Sequence, residues 1–430
     1  MNKILLAIVA TATLPSVSVG AETLADAWAM ALQNDHSLGA VRLDTQAARA
    51  ETAAARAQRW PSLSGTGSYV QFSDAPAFDF SAAGLPVEFP EVVDDDDALL
   101  GSVTLSVPLF TGGRISSSIA AAGAQQAARE ANEAQATQDL KLAVVHAYVD
   151  VLRARRALAV ADSNVAMLEA YASEVRSMFD REVVPRNDLL AAQVALANAI
   201  QGRIRTANAV SLALAAYNRR LGEPLTREAS LEPELPALAL AHDAPIEQLI
   251  ERALTNRREL AALASQAEAV GHQAKAERAK LYPQLVLSGS YQYLENEVLD
   301  REEFAMAGIG FNWAVFDGGV TRHRTAALRR VQHAVEERRN ELESLIALEV
   351  RQHWLDAQEA RSRLRVTADA VAQAEENLRI TRQQYLAGLV ISTRVLEAES
   401  LRVQSHTNHD NAVLDAGAAQ YRLARAVGEL

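Results

Sequence analysis

Apolar positions along this chain follow two periods. From Ser62 to Phe72 they alternate: Leu63, Gly65, Gly67 and Tyr69 point one way, and Ser64, Thr66 and Ser68 the other. From Leu99 to Leu109 the alternation is cleaner, with Val103, Leu105, Val107 and Leu109 set against Ser102, Thr104 and Ser106. The same pattern returns with Leu285, Leu287, Tyr291 and Tyr293 opposing Ser288, Ser290 and Gln292, and with Ala307, Ile309, Phe311 and Trp313 opposing Gly308, Gly310 and Asn312. A period of two predicts four strands, each with one apolar and one small polar face. The remainder has helical spacing. Leu24 to Arg59 reads as one helix stopped by Pro61. Arg114 to about Asp180 and Thr321 to Leu386 read as two very long helices without proline, each about 100 Å at 1.5 Å per residue. A shorter helix covers Asp188 to Arg220.

The pattern is a duplication. Ala31-Leu32-x-Asn34-x-x-x-Leu38 returns as Ala253-Leu254-x-Asn256-x-x-x-Leu260, and Trp60-Pro61-x-Leu63 as Tyr282-Pro283-x-Leu285, both 222 residues on (31 to 253, 61 to 283). Phe110-x-Gly112-Gly113 returns as Phe316-x-Gly318-Gly319, Tyr148-x-Asp150 as Trp354-x-Asp356, and Leu221-Gly222-Glu223 as Val427-Gly428-Glu429, 206 residues on (110 to 316, 222 to 428). The offset falls by 16 between Pro61 and Phe110, so the first copy carries that many extra residues there. The organisation expected is a signal peptide over 1–21, a first repeat over 22–222, an ordered connector over 223–244 and a second repeat over 245–430. Lys3, the apolar run Ile4 to Leu14 and Val19-Gly20-Ala21 carry the signal-peptide reading, which starts the mature chain at Glu22.

Ten-residue strands with an apolar and a small polar face fit a membrane barrel with a wet lumen, and the strand aromatics fit interfacial girdles. Soluble amphipathic hairpins packed on a core fit the strands alone equally well. Four strands cannot close a barrel, and lipid does not tolerate an open edge. A membrane reading therefore requires several copies, and three would supply twelve strands. Composition agrees with long, closely packed helices: 49% of residues are hydrophobic, only 5% aromatic, and the apolar share is mostly Ala, Leu and Val. A net charge of -12 with no basic face argues against nucleic acid as a partner. The absence of cysteine excludes disulfides, thiolate metal sites and a Cys nucleophile.

Other chemistry is thin. His406-x-Asn408-His409 and the scattered His36, His146, His323 and His353 lack His-Glu-x-x-His spacing. Gly65-x-Gly67 and Gly308-x-Gly310 open no helix and precede no Lys-Ser/Thr, so they cradle no phosphate. The acidic run from Glu88 to Asp97 reads as a solvated external loop, with a weak divalent-cation site as the competing reading. No catalytic residue, metal or cofactor is expected.

Taken in order, Trp60-Pro61-Ser62-Leu63, Val107-Pro108-Leu109-Phe110-x-Gly112-Gly113, and Tyr385-x-x-Gly388-Leu389 followed by Val395-Leu396-x-Ala398 resemble the TolC family of outer-membrane efflux ducts, over essentially all of Glu22 to Leu430. The resemblance implies a mainly α chain with a membrane β-barrel part. Three copies would form a twelve-stranded barrel in the outer membrane joined to a twelve-helix tunnel through the periplasm. It further implies a passive exit duct of a tripartite efflux or type I secretion system, with no chemistry of its own. Its partners would be outer-membrane lipid, a periplasmic adaptor (membrane fusion protein) and an inner-membrane RND or ABC transporter.

The resemblance also carries residues. It sets the periplasmic constriction at Asp188 after the first helical turn, Tyr385 before the second, and Arg394 and Glu397 where the family commonly has two acidic residues. The family's latching arginine falls on Val390. Adaptor docking is expected at Val183, Val184 and Pro185 of the first turn and Gly388, Leu389 and Val390 of the second. Asn187 or Thr393 would cap the helix after its turn, and Gly388 the helix before. Two other classes compete: a soluble periplasmic coiled-coil adaptor, which would lack alternating strands, and a secreted helical structural protein, which would appear in the medium. The extra residues of the first copy, with their acidic run, cannot sit in hydrocarbon. A peptide tag inserted at Asp95 is therefore expected to be reached by antibody on intact cells while export continues. Labelling only after the outer membrane is broken would refute that loop assignment.

Overall fold

A computed structural model of the chain describes residues 21–73, 97–238, 244–296 and 300–430. The expected signal peptide, apart from Ala21, and the acidic run, apart from Asp97, lie outside the described residues. Each repeat is built as helix, helix, strand, strand, long helix, helix. The first comprises α1 (Leu24–Asn34), α2 (His36–Ala57), β1 (Ser62–Gln71), β2 (Asp97–Phe110), α3 (Arg114–Asp180) and α4 (Arg186–Leu221). The second comprises α5 (Ile246–Asn256), α6 (Arg258–Arg278), β3 (Gln284–Leu294), β4 (Glu303–Asn312), α7 (Val320–Leu386) and α8 (Ser392–Val427). α3 and α7 have 67 residues each, and α4 and α8 have 36 each.

The expected single helix from Leu24 to Arg59 is two helices. Asp35 has an extended backbone (φ -66°, ψ 118°), and its N–H still donates to the Ala31 carbonyl, which closes α1. Its carboxylate then accepts from the Leu38 N–H at 2.9 Å and starts α2. A short acidic residue supplies a local bond that competes with the helix ladder. Arg257 breaks the second copy at the matching place, with φ -64° and ψ 119°.

The chain forms two compact units. One contains the described parts of Met1–Gly39, Ala136–Arg257 and Ile346–Leu430. Its main core joins Leu24, Ala27, Ala31 and Leu38 to Val144, Tyr148 and Leu152 of α3, Tyr217 and Leu221 of α4, and Tyr421 of α8. The start of the expected connector is part of this core. Glu22 forms a parallel bridge with Leu231, its N–H donating to Ser230 O at 2.6 Å and its carbonyl accepting from Glu232 N–H at 3.1 Å. The buried Tyr148 hydroxyl is shared between the Glu22 and Glu232 carbonyls, 3.0 Å from each. Burial pushes this phenol up to about 12.

The other unit contains the described parts of Ala40–Gln135 and Arg258–Leu345. Its four strands form one antiparallel sheet in the order β1-β2-β3-β4. The ladder places Leu63 opposite Leu105, Val103 opposite Tyr291, and Leu287 opposite Ile309, so these residues of all four strands share one face. Ser64, Thr104, Ser290 and their neighbours share the other. A bulge between Pro108 and Phe110 corrects one expectation. Phe110, not Leu109, lies opposite Leu285, because Leu109 is the extra residue. Trp313 also falls just beyond β4, where its ring N–H donates to the Leu281 carbonyl at 3.0 Å.

The repeated motifs have a packing explanation. Gly222, just past α4, has φ +72°, and a Cβ there would meet Asn34 Cβ at 2.7 Å. Gly428, past α8, has φ +82°, and its Cβ would meet Asn256 Cβ at 3.1 Å. The Ala-Leu-x-Asn and Leu/Val-Gly-Glu signatures are thus two sides of one close contact in each copy. Positive φ also separates the two inter-helix turns. Gly388 occupies it with φ +72°, and the N–H of Leu389 reaches back to the Gln384 carbonyl at 2.9 Å. Glu182 holds the equivalent place with φ +59°, the only such non-glycine among the described residues.

Gly222→Ala is expected to lower stability by at least about 1–2 kcal/mol, the left-handed penalty alone, measured as a lower midpoint in thermal or denaturant unfolding. Glu182→Gly removes that penalty and is expected to slow amide hydrogen exchange between Glu182 and Val184; unchanged exchange would show that the turn is unstrained.

Candidate functional site

The turn ends of the long helices gather the residues expected to form the constriction. Leu168, Tyr171, Ala172 and Val175 of α3 pack with Leu189, Ala192 and Ala199 of α4, Tyr385 of α7 and Val395 of α8. Helical spacing makes this stripe: 168, 171, 172 and 175 repeat at three and four residues. Val184 and Val390, at equivalent places in the two turns, are half-buried against the cluster. Their neighbours Val183 and Leu389 are exposed, at 64% and 74%. Pro185 and Gly388 are exposed as well. Neither expected side-chain cap forms. The residues preceding α4 and α8 are Pro185 and Ile391, with no side-chain cap bond, because Asn187 and Thr393 already lie inside the first helical turn.

Tyr385 and Asp188 come together across α7 and α4. Tyr385 is buried, its ring centroid 5.7 Å from that of Tyr171 at a tilt of 57°. The Tyr171 hydroxyl donates to the Ser392 carbonyl at 3.4 Å, while the Tyr385 hydroxyl lies close to the Tyr171 hydroxyl and the Asp188 carboxylate without a well-aligned bond to any described residue. Burial raises the Tyr385 phenol above its ordinary value, and the nearby Asp188 carboxylate adds to the shift. Asp188 lies in the first turn of α4, where the helix dipole favours a negative charge. Arg394 and Glu397 pair with each other at 2.9 Å on α8. Both side chains are about two-thirds exposed, so this pair is a solvated charge couplet and not part of the buried cluster. Val390 contributes apolar packing and no charge.

Sequence reading missed three contacts. Arg382 of α7 bonds Glu174 of α3 at 3.0 Å, and Glu399 of α8 is buried against Arg402, which bonds it at 2.7 and 2.8 Å. Tyr171 supplies the aromatic partner of Tyr385. Arg402 with Glu399 is an i,i+3 pair readable in principle, but its burial is not. Arg382 and Glu174 are 208 residues apart, and neither they nor the two tyrosines correspond under the repeat offset. The described residues include no group of side chains that could hold a metal ion. His406 bonds Glu375 at 2.9 Å, and His409 lies 3.3 Å from the Thr367 hydroxyl, both as ordinary helix-surface partners.

The second functional surface is the sheet. Its apolar face is open: Leu63, Tyr69, Ile309 and Phe311 are 63–72% exposed. At the helix end of the strands Trp60, Tyr282, Trp313 and Phe316 are exposed as well. Among the described residues no helix is long and apolar enough to cross a membrane.

Comparison with known proteins agrees with this geometry. The chain is 24% identical over 419 residues to the outer membrane efflux protein BepC of Brucella suis biovar 1, covering 95% of this chain and 86% of that one. A crystal structure of a membrane protein from Pseudomonas aeruginosa superposes with a TM-score of 0.81 at 21% identity, covering 95% of this chain and 91% of that chain. The outer membrane protein VceC of Vibrio cholerae superposes with a TM-score of 0.79 at 17% identity, covering 94% and 96%. A family profile described as Outer membrane efflux protein matches residues 27–223 and 249–429, one segment on each repeat. The chain, with its duplicated strand pairs and long helices, belongs to the outer membrane efflux protein family, whose members are channels and not enzymes.

Proposed function

We propose that three copies of this chain form a passive exit duct: a twelve-stranded barrel in the outer membrane, continued by a helical tunnel in the periplasm. One observation carries the reading. The sheet ends in two unpaired strands, β1 and β4, while its apolar face is exposed. Such edges cannot persist in hydrocarbon, and pairing β1 of one copy with β4 of the next satisfies both. The small polar face of Ser64, Thr66, Ser102, Thr104, Ser288 and Ser290 then lines a wet lumen.

The turns between the paired helices are the end that meets the rest of an efflux system. Exposed Val183, Leu389 and Ile391 supply an apolar tip suited to a periplasmic adaptor, which would link the duct to an inner-membrane RND or ABC transporter. Asp188 and Tyr385 latch the closed state beside Tyr171, and Arg394 with Glu397 set the charge of the constriction. The buried Tyr385 hydroxyl lies near Asp188 and Tyr171 without a well-aligned bond to either, which supports a contact that can be exchanged for another.

Assembly is tested with cysteine pairs, clean here because the chain has no cysteine. One cysteine is fixed at Gly308→Cys on β4 and a second is scanned from Ser62 to Val70 on β1. At least one register should yield an oxidation-dependent closed trimer in detergent; monomers in every register would sink the barrel. For the constriction, Asp188→Ala with Tyr385→Phe should raise single-channel conductance in planar bilayers. A coupling of about 1–3 kcal/mol corresponds to about a 5- to 150-fold change in the open population. Arg394→Asp should increase cation selectivity by leaving an acidic ring. Trimers with unchanged conductance and selectivity would place the constriction elsewhere.

A further inference from the structure

The two copies of the repeat differ sharply in one place. After β2, α3 begins Arg114-Ile115-Ser116-Ser117-Ser118 and continues through alanines to Gly123 and Ala124. After β4, the matching part of α7 carries Arg322, Arg324, Arg329 and Arg330 where α3 has Ser116, Ser118, Gly123 and Ala124. Arg322 stands in the first turn of α7, where a positive charge opposes the helix dipole.

Three of these arginines, Arg322, Arg329 and Arg330, line a groove. α6 and α7 enclose about 640 Å³ bounded by Arg278, Leu281, Arg322, Thr325, Arg329 and Arg330. Of the nearby carboxylates, Glu277 bonds Lys280 at 2.6 Å with its other oxygen 3.9 Å from Arg324, Glu336 bonds His333 at 2.9 Å, and Glu268 lines the adjoining cavity with Arg278 and Arg329, one acidic group against the surrounding arginines. Arg278, Arg322, Arg329 and Arg330 form no ion pair with any described residue. Thr325 is only 7% exposed, and its hydroxyl has no hydrogen-bond partner among the described residues. In the first copy its place is taken by Ile119, so the buried hydroxyl is specific to this groove.

Location supplies the occupant. Leu281 on the groove wall accepts a hydrogen bond from the Trp313 ring, and Tyr282 follows it directly. Trp313 and Tyr282 are about half exposed and stand at the helix end of the strands. Aromatic residues of this kind mark the boundary between hydrocarbon and headgroups. Arg322 to Arg330 span about 12 Å of helix beyond that boundary, within reach of long side chains that extend back toward it. A concave basic surface at this depth matches a phosphodiester next to acyl chains, with the Thr325 hydroxyl available as a further donor.

We propose that the α6–α7 groove binds the headgroup of an anionic phospholipid, of the phosphatidylglycerol class, in the leaflet on the helix side of the barrel. The proposal rests on the barrel reading above. The second repeat alone carries the site, so a trimer has three, one per chain.

The test reconstitutes full-length trimers into bilayers of phosphatidylethanolamine with a minority of phosphatidylglycerol. The trimers are then exchanged into neutral detergent, and the phospholipid retained is measured by mass spectrometry. Wild type should retain phosphatidylglycerol in preference to phosphatidylethanolamine. Arg322→Gln, Arg329→Gln and Arg330→Gln should each reduce that preference about fivefold, the equivalent of about 1 kcal/mol per basic residue at a charged membrane surface. Thr325→Val should reduce it without loss of trimer, and Arg379→Gln, on the same helix but paired with Glu376 at 2.6 Å, should not.

Channel-forming trimers with no headgroup preference, or with one that ignores the arginines, overturn the proposal and leave the barrel intact. Displacement of the lipid by inorganic phosphate as readily as by phosphatidylglycerol overturns it in favour of a free-anion site. Arginine variants that fail to trimerise while wild type shows no lipid preference reassign the groove to a contact between copies. Absence of channel and trimer in wild type defeats the barrel reading itself, and this proposal with it.

Discussion

The unsatisfied backbone of an open sheet edge is the constraint on which the rest depends. β1 and β4 each leave a row of N–H and C=O groups unpaired, and the sheet presents its apolar face outward. Water could solvate such edges; a bilayer cannot. An apolar face that wants lipid and edges that forbid it are reconciled only by closure with further copies. The membership of the chain in the outer membrane efflux protein family supplies the same answer independently. Closure also accounts for the composition of the strands. Side chains alternate by two, so along the middle of the strands the outward apolar residues alternate with Ser, Thr, Gly or Gln on the other face, while Val70, Leu100, Val286, Leu294, Phe304 and Met306 place apolar side chains on that face as well.

Duplication fixed the backbone and released the surface. Both copies break their first helix at the same position, through Asp35 in one and Arg257 in the other. Both close their last helix with a left-handed glycine set against an asparagine of that break. These contacts tolerate no extra atom, which is why the motifs survive in both halves. Where side chains face outward the halves part company. Glu182 stands in a strained conformation where the second copy has Gly388, and α7 begins with arginines where α3 begins with serines and alanines.

The turn end has a different character from the core near Tyr148. There, the Tyr148 hydroxyl is shared between backbone carbonyls of the N-terminal segment and the connector, which ties the two together. At the turns, Tyr385 is buried with its hydroxyl near the Asp188 carboxylate but not well aligned to it, and the apolar cluster around it ends at exposed valine and leucine.

The sequence by itself determined the architecture. Period-two alternation located all four strands, proline and the double glycines bounded them, and the repeat offsets announced that one unit occurs twice. Those signals are local, because pleat, helix pitch and left-handed φ are properties of a few consecutive residues. The helix break at Asp35 escaped because a single polar residue gives no change of period, and the bulge at Leu109 escaped because strand register depends on the partner strand. The resemblance to a family located Asp188 and Tyr385, and the structure brings them together, while Arg394 and Glu397 pair with each other at the surface. Only the tertiary structure decided that Tyr171 backs Tyr385, that Arg382 meets Glu174 across 208 residues, and that the arginines of α7 share a groove with the end of α6. Such contacts form between helices whose relative rotation is set by packing, and no window of sequence contains that rotation.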